Sequence, residues 1–381
     1  MSRKFELGAI FGIPIQVDAS WFAILALMTW TLATGYFPSA LLGVSTHTYW
    51  LMGLTAAVLL FACVLLHELG HSLVAKAYGI PVRRVTLFVF GGVAQIASEP
   101  KRPWVELTVA LAGPLVSVVL AAACWWVSRV WSPHADAQLI GLAIVRYLWI
   151  VNAGIILFNL LPGFPLDGGR VMRALLWAWT KDLTKATRIA SICGSAMGIA
   201  LVVLGGLSAL EGRWINGVWS VLLGFYLRNA ARASYADVAV RGALANVTVS
   251  QLMKTDRIMV PAQTSLQAFV DTYALRYGWS GFPVEDDGQV RGVVTVAAVK
   301  RVARARWPAM TVGELMRRDV ARFAVRPGTN ALEALGRMHA SAMTPLVVME
   351  DGQMLGVVHQ ADILNLLRMK LELGGRKGAK P

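Results

Sequence analysis

His67, Glu68 and His71 bring two imidazoles and a carboxylate within five residues. On a helix, positions i and i+4 share a face, so His67 and His71 can offer two nitrogens to one metal ion. The donor type and spacing suit Zn²⁺, one per chain, and Glu68 is placed to take a proton from water polarised by that ion. The chemistry these groups support is metal-assisted hydrolysis. Residues 49–66 (YWLMGLTAAVLLFACVLL), which lead directly into them, carry no charge. A charged side chain at the centre of a bilayer costs about 2.5–3.5 kcal/mol even on insertion scales, so an ionisable cluster in such a helix marks a functional site.

A hydrolytic zinc site takes three protein ligands and keeps a fourth position open. The stretch Asn159-Leu-Leu-Pro162-Gly-Phe-Pro165-Leu-Asp167-Gly168-Gly169-Arg170 offers a candidate. Its prolines stop a regular helix and its glycines permit tight turns. Irregular backbone at membrane depth is tolerated where protein covers it or where it lines a cavity. Asp167 is the one carboxylate there and can reach the metal from a second segment. By spacing alone Glu99 and Glu106 are alternative third ligands, but Asp167 has the better surroundings. Asn152 and Asn159, seven apart, face the same way on a helix. Asn159 can hydrogen-bond a substrate backbone or an oxyanion, and Asn152 can line the same groove; an interhelical hydrogen bond is the competing reading of each.

Composition sets the frame these residues need. With 56% hydrophobic and 15% charged residues among 381, and mean hydropathy +0.56, the chain is too apolar for an ordinary soluble enzyme. The excess is uneven: residues 1–239 read as a membrane domain and the rest as a soluble one. Each part carries a net charge of +7, so the total of +14 is not one basic patch, and no clustered basic and aromatic face points to nucleic acid. Cys63, Cys124 and Cys193 fall in apolar spans, too far apart for a CxxC site, and read as packing residues.

Six spans can be drawn, at 17–36, 48–70, 104–128, 138–161, 187–209 and 213–230, each near the ~20 residues a bilayer requires. No cleavable signal peptide is evident in the mixed N-terminal stretch. With the N-terminus in the cytoplasm, the cytoplasmic flanks hold 14 Lys/Arg, while the opposite flanks hold only Arg129 and Arg213, and Arg146 falls within a span. That asymmetry puts both termini in the cytoplasm and the two histidines toward the cytoplasmic end of the second span.

HELGH late in one span, with Asn159, Pro162 and Asp167-Gly168 in a later one, closely resembles the site-2 proteases, intramembrane zinc metalloproteases. The resemblance covers the whole membrane half. It implies zinc on His67, His71 and Asp167, Glu68 as general base, and substrate contact by Asn159. Ala112-Gly113-Pro114 also looks like a family feature, for close helix packing. The six-span layout without a PDZ domain is similar to the sporulation-type subgroup. By resemblance, the substrate is a single-span membrane protein, such as a membrane-tethered regulator or anti-sigma factor, cleaved in regulated intramembrane proteolysis. The setting it implies is a bacterial or archaeal inner membrane.

Between the second and third spans, Val85-Thr-Leu-Phe-Val-Phe-Gly91-Gly92-Val-Ala-Gln95 is β-rich and hinged by two glycines. The resemblance makes it a membrane-embedded hairpin or strand beside the active site. An exposed edge there could pair with an unwound substrate, bringing Gly91 and Gly92 to it; simple re-entrant packing is the other reading.

The soluble half contains a repeat. Thr248-Val-Ser-Gln-Leu-Met253 returns as Thr311-Val-Gly-Glu-Leu-Met316, and Asp287-Gly-Gln-Val-Arg-Gly-Val-Val294 as Asp351-Gly-Gln-Met-Leu-Gly-Val-Val358. The pattern resembles tandem CBS domains, here 246–305 and 309–370, which pair into a compact α/β module and commonly bind adenine nucleotides. Such binding uses a Ser/Thr and an Asp after the final strand. One copy has Thr295 but Ala298 in place of the Asp; the other has Asp362 but His359 in place of the hydroxyl. Each is incomplete, and a structural or homodimerising role stands beside nucleotide binding. Lys300-Arg-Val-Ala-Arg304-Ala-Arg306 reads as a solvated helix face.

The expectation is therefore a polytopic α-helical membrane protein with a short re-entrant β element and a C-terminal tandem CBS module, acting as an intramembrane zinc protease. A CBS-gated transporter or channel leaves HELGH unexplained and lacks internal symmetry in the membrane half. A catalytically inactive zinc scaffold leaves Glu68 without a use.

Overall fold

The computed structural model describes residues 4–132, 135–255, 257–341 and 343–376. The chain forms two compact units, Met1–Ala236 and Asp237–Pro381.

The first unit opens with a hairpin, β1 (Lys4–Ile10) and β2 (Ile13–Asp18), turning through Phe11 and Gly12, both at positive φ. Asp18 then caps α1 (Ala19–Thr31), its carboxylate accepting the N–H of Ser20 at 3.0 Å. A π-helical turn over Leu32–Tyr36 joins α1 to α2 (Phe37–Ala40). The long α3 (Thr46–Ala77), capped by Ser45, carries HELGH in its second half. At 1.5 Å per residue its 32 residues are longer than a ~30 Å hydrocarbon core requires. The hairpin of β3 (Val82–Phe88) and β4 (Gly91–Ile96) comes next. After it run α4 (Pro103–Val130), α5 (Asp136–Asn159), the short α6 (Asp167–Thr180), α7 (Leu183–Leu210) and α8 (Trp214–Leu244).

Among the described residues, five helical segments are long and apolar enough to cross a membrane: Ala19–Ala40, Thr46–Ala77, Pro103–Val130, Ala137–Asn159 and Leu183–Leu210. The sixth expected span, 213–230, lies in α8 but is not among them, because Asn216, Tyr226, Arg228 and Asn229 dilute its hydropathy. The same helix continues beyond this span to Leu244.

The β element is larger than the sequence suggests. β1 and β2 join β3 and β4 in one four-stranded sheet in the order β1-β2-β3-β4, with β2 and β3 parallel. Ile13, Ile15 and Val85 on one face of the sheet form a buried cluster with Leu69 of α3, flanked by Leu65. Leu65 and Leu69 are one turn apart on α3, while His67 and His71 lie about 200° round the helix. The sheet and the histidines thus use opposite sides of α3. The alternation in β2 is only three inward positions long, too brief to stand out beside the apolar helix it precedes.

The second unit holds two three-stranded sheets of the same design. β5 (Val260–Pro261), β6 (Gly281–Asp286) and β7 (Gln289–Thr295) make one; β8 (Ala324–Val325), β9 (Leu346–Glu350) and β10 (Gln353–Val358) make the other. In each, the middle strand runs parallel to the short one and antiparallel to the third. The Asp-Gly pairs at 287–288 and 351–352 all adopt positive φ, as two-residue hairpin turns demand. The repeats also trade partners. Lys254 exchanges both backbone hydrogen bonds with Val357 of the second sheet, and Arg317 does so with Val293 of the first.

Candidate active site

His67, His71 and Asp167 converge from two helices. Asp167 Oδ2 lies 3.0 Å from His67 Nε2, Asp167 Oδ1 lies 3.2 Å from His71 Nε2, and the two Nε2 atoms are 3.2 Å apart. All three residues are buried, and they are the one group of His, Cys, Asp or Glu among the described residues with ligand atoms close enough to share a metal ion. The other imidazole nitrogens are engaged by α4: His71 Nδ1 donates to the Val109 carbonyl at 2.6 Å, and His67 Nδ1 bonds Ser117 Oγ at 2.9 Å. A carbonyl can only accept, so the His71 proton sits on Nδ1 and its Nε2 lone pair is free for a metal. Asp167 occupies the first turn of α6, where a negative charge suits the helix dipole.

Gly113 tests whether an ion fits. A Cβ built on it would lie 2.1 Å from His71 Nε2 and 2.6 Å from His67 Nε2. Any side chain there would fill the space next to both nitrogens, and glycine leaves it clear. Two imidazoles and one carboxylate are also the donor set of a three-ligand zinc site with an open position. The residues fit the metal. Gly70, between the histidines, does the same for the helices: its Cβ would meet Val116 and the Ala112 carbonyl of α4 at 2.9 and 3.0 Å.

Glu68 stands outside the three-residue group, half-buried, and accepts the backbone N–H of Ala94 in β4 at 3.0 Å. Gly92 brings the strand close; a Cβ on it would sit 2.5 Å from Glu68 Cγ. Both open into a cavity of about 640 Å³ lined by His67, His71, Asp167, Asn159, Arg170 and Tyr226, with Gly91 and Gly92 along the β4 side. β4 is an end strand of its sheet.

The model of peptidase family M50 matches residues 55–139 and 133–204, and that of the CBS domain matches 249–304 and 312–369. "Putative zinc metalloprotease sll0528" of Synechocystis sp. is 34% identical over 371 residues, 97% of this chain and 96% of its own length. The chain belongs to peptidase family M50, the site-2 zinc metalloproteases. "Zinc metalloprotease MJ0392" of Methanocaldococcus jannaschii is 28% identical, with 98% of this chain and 99% of that protein covered. Among solved structures, the site-2 protease from Methanocaldococcus jannaschii is 27% identical over 61% of this chain and 95% of its own, with a TM-score of 0.42.

In this M50 protease the alternative third ligands are otherwise engaged. Glu106, fully buried on α4, pairs with Arg173 of α6, whose Nη1 also lies 3.5 Å from Glu99. Asn159 lines the cavity, but Asn152 does not: it is fully buried and donates to the Leu148 carbonyl of its own helix at 2.8 Å. Asn152 faces helix packing instead of the cleft, although the seven-residue interval sets it within about 20° of Asn159 around the helix.

In the CBS unit, Thr295 Oγ1 caps the helix Val296–Val299, accepting the Ala298 N–H at 3.2 Å. Asp362 pairs with Lys254 at 3.2 Å, and His359 packs edge-on against Trp279. A groove in this unit is lined by Arg326, Thr329, Arg337 and Glu350; neither Thr295 nor Asp362 lines it.

Four groups at the site were not singled out from sequence: Ser117, the Val109 carbonyl, the Ala94 N–H and Arg170. Ser117 had a signal, since Val109, Gly113 and Ser117 recur every four residues on one face of an otherwise apolar helix. Backbone donors and acceptors carry none.

Proposed function

We propose that this protein hydrolyses peptide bonds within or beside transmembrane segments of single-span membrane proteins, with His67, His71 and Asp167 holding one Zn²⁺ and Glu68 as general base. The observation that carries this reading is the meeting of the two Nε2 atoms and the Asp167 carboxylate beside a cavity that Glu68 shares. Bound zinc supplies Lewis acidity to water and to the scissile carbonyl. Glu68 takes a proton from the attacking water and returns it to the leaving amine. Ala94 holds that carboxylate in place, and Asn159 hydrogen-bonds the substrate backbone or the oxyanion.

A helical substrate hides its carbonyls in i to i+4 bonds and must unwind before attack. That need to unwind favours segments containing Gly or Pro, and the β4 edge, with Gly91 and Gly92, would receive the unwound strand by backbone pairing. The distribution of Lys and Arg supports cytoplasmic termini in a cell inner membrane, with cleavage toward the cytoplasmic side. On the same reading the CBS unit is a cytoplasmic regulatory and homodimerising module responsive to adenine nucleotides.

The test compares the membrane proteomes of cells making the wild-type protein or Glu68→Gln. Intact single-span proteins should accumulate in the mutant and shortened forms in the wild type. Identical proteomes, with purified wild-type protein free of zinc, would overturn the assignment.

A further inference from the structure

We infer that Arg173 and Glu106 are a positioning pair for the metal centre, locking the helix that carries Asp167 to the helix that orients both histidines. The inference rests on His67, His71 and Asp167 being the metal ligands.

The two halves of that centre are covalently remote. Asp167 begins α6, and Arg173 follows it on the same helix. On α4, Glu106 is three residues before Val109, whose carbonyl holds His71, and eleven before Ser117, which holds His67. Glu106, Val109, Gly113 and Ser117 form one stripe along α4. Metal–ligand distances tolerate about 0.2 Å, whereas a slide of one residue along a helix moves a side chain by about 1.5 Å. Apolar contacts between helices are non-directional and fix such a slide poorly. A guanidinium fork is directional. Arg173 Nε donates to Glu106 Oε1 at 2.5 Å, Nη2 pairs with the same oxygen, Nη1 faces Glu99, and the guanidinium lies 5.0 Å over the Phe164 ring in the turn leading to Asp167.

The pair is also badly arranged for stability alone. Glu106 is fully buried, Arg173 is nearly so, and Glu106 Oε2 has no hydrogen-bond partner among the described residues. Replacing a buried pair by apolar groups of similar volume is often neutral or stabilising. A residue pair kept for packing would gain from that replacement; one kept for register would not survive it functionally.

The experiment uses the full-length protein purified in detergent, bearing Glu106→Met together with Arg173→Met, which replaces the pair by apolar groups of similar volume and removes both charges at once. Zinc affinity is measured by chelator competition, and ligand geometry by the visible spectrum of the Co²⁺-substituted protein. The expected result is a loss of zinc affinity of about 10- to 100-fold, the range for supports of metal ligands. A changed Co²⁺ spectrum and an unaltered melting temperature of the metal-free protein should accompany it. Arg173→Lys alone, which keeps the charge but not the fork, should recover part of the affinity. Wild-type affinity and spectrum in the double variant would overturn the inference, and so would a metal-free protein that no longer folds. Asp167→Ala in parallel separates the two readings: zinc retained at wild-type affinity there removes the ligand assignment itself.

Discussion

The backbone N–H of Ala94 donates to Glu68 Oε2 at 3.0 Å, so an end strand of the sheet and the carboxylate of HELGH are held as one unit. The bond fixes one oxygen of Glu68 and leaves the carboxylate facing the cavity shared with His67 and His71. Glu68→Gln keeps an acceptor for Ala94 but cannot take a proton. Proteolysis should fall by about 10²- to 10⁴-fold, the usual share of general acid–base catalysis, while zinc content stays at one per chain. Metal analysis of the purified variant decides it: an empty site would make Glu68 a ligand.

Asp167→Ala should lower zinc occupancy without unfolding the protein. Both carboxylate oxygens face imidazole nitrogens, and Glu99 and Glu106 face Arg173, which removes them as substitutes. Elemental analysis after dialysis against chelator is the readout. Zinc and activity at wild-type levels would place the third ligand elsewhere.

Gly113→Ala adds one methyl at the position 2.1 Å from His71 Nε2. The variant should show greatly weakened zinc and Co²⁺ binding and no proteolysis. Gly113 is itself buried, and the imidazoles its methyl would meet are held by Ser117 and the Val109 carbonyl, so secondary structure by circular dichroism is the control. Metal binding equal to wild type would mean that the nitrogens turn away from that space when loaded.

For the CBS unit, titration calorimetry of the full-length protein with ATP, ADP and AMP should show binding that weakens in Asp362→Ala. Asp362 is the more complete nucleotide contact of either repeat, and its pairing with Lys254 offers a carboxylate and a cation at one place. Binding by none of the three nucleotides would assign the module to assembly.

Much of the site was legible because its chemistry rests on side chains at fixed spacing. His67, Glu68 and His71 sit on one helix, and Asp167 is a lone carboxylate among helix breakers. Asn152 misled because a seven-residue interval predicts a shared face, whereas burial against neighbouring helices decides which side of that face meets the cleft. β1 and β2 escaped notice because their alternation is short, and because the pairing that brings their hairpin into the sheet, Ile15 with Val85, joins β2 to a strand 70 residues downstream that pattern reading along the chain does not see. The Arg173–Glu106 contact is of the same kind, since neither residue announces its partner.

The exchange of backbone bonds between Lys254 and Val357, and between Arg317 and Val293, has a consequence for how the C-terminal half can be divided. Each repeat lends its leading segment to the other's last strand, so neither half is self-sufficient. Cutting the chain between them would strip both sheets of a neighbour, not one. The duplication therefore behaves as an indivisible clasp, and whatever disturbs one of its two seams is felt by both halves at once.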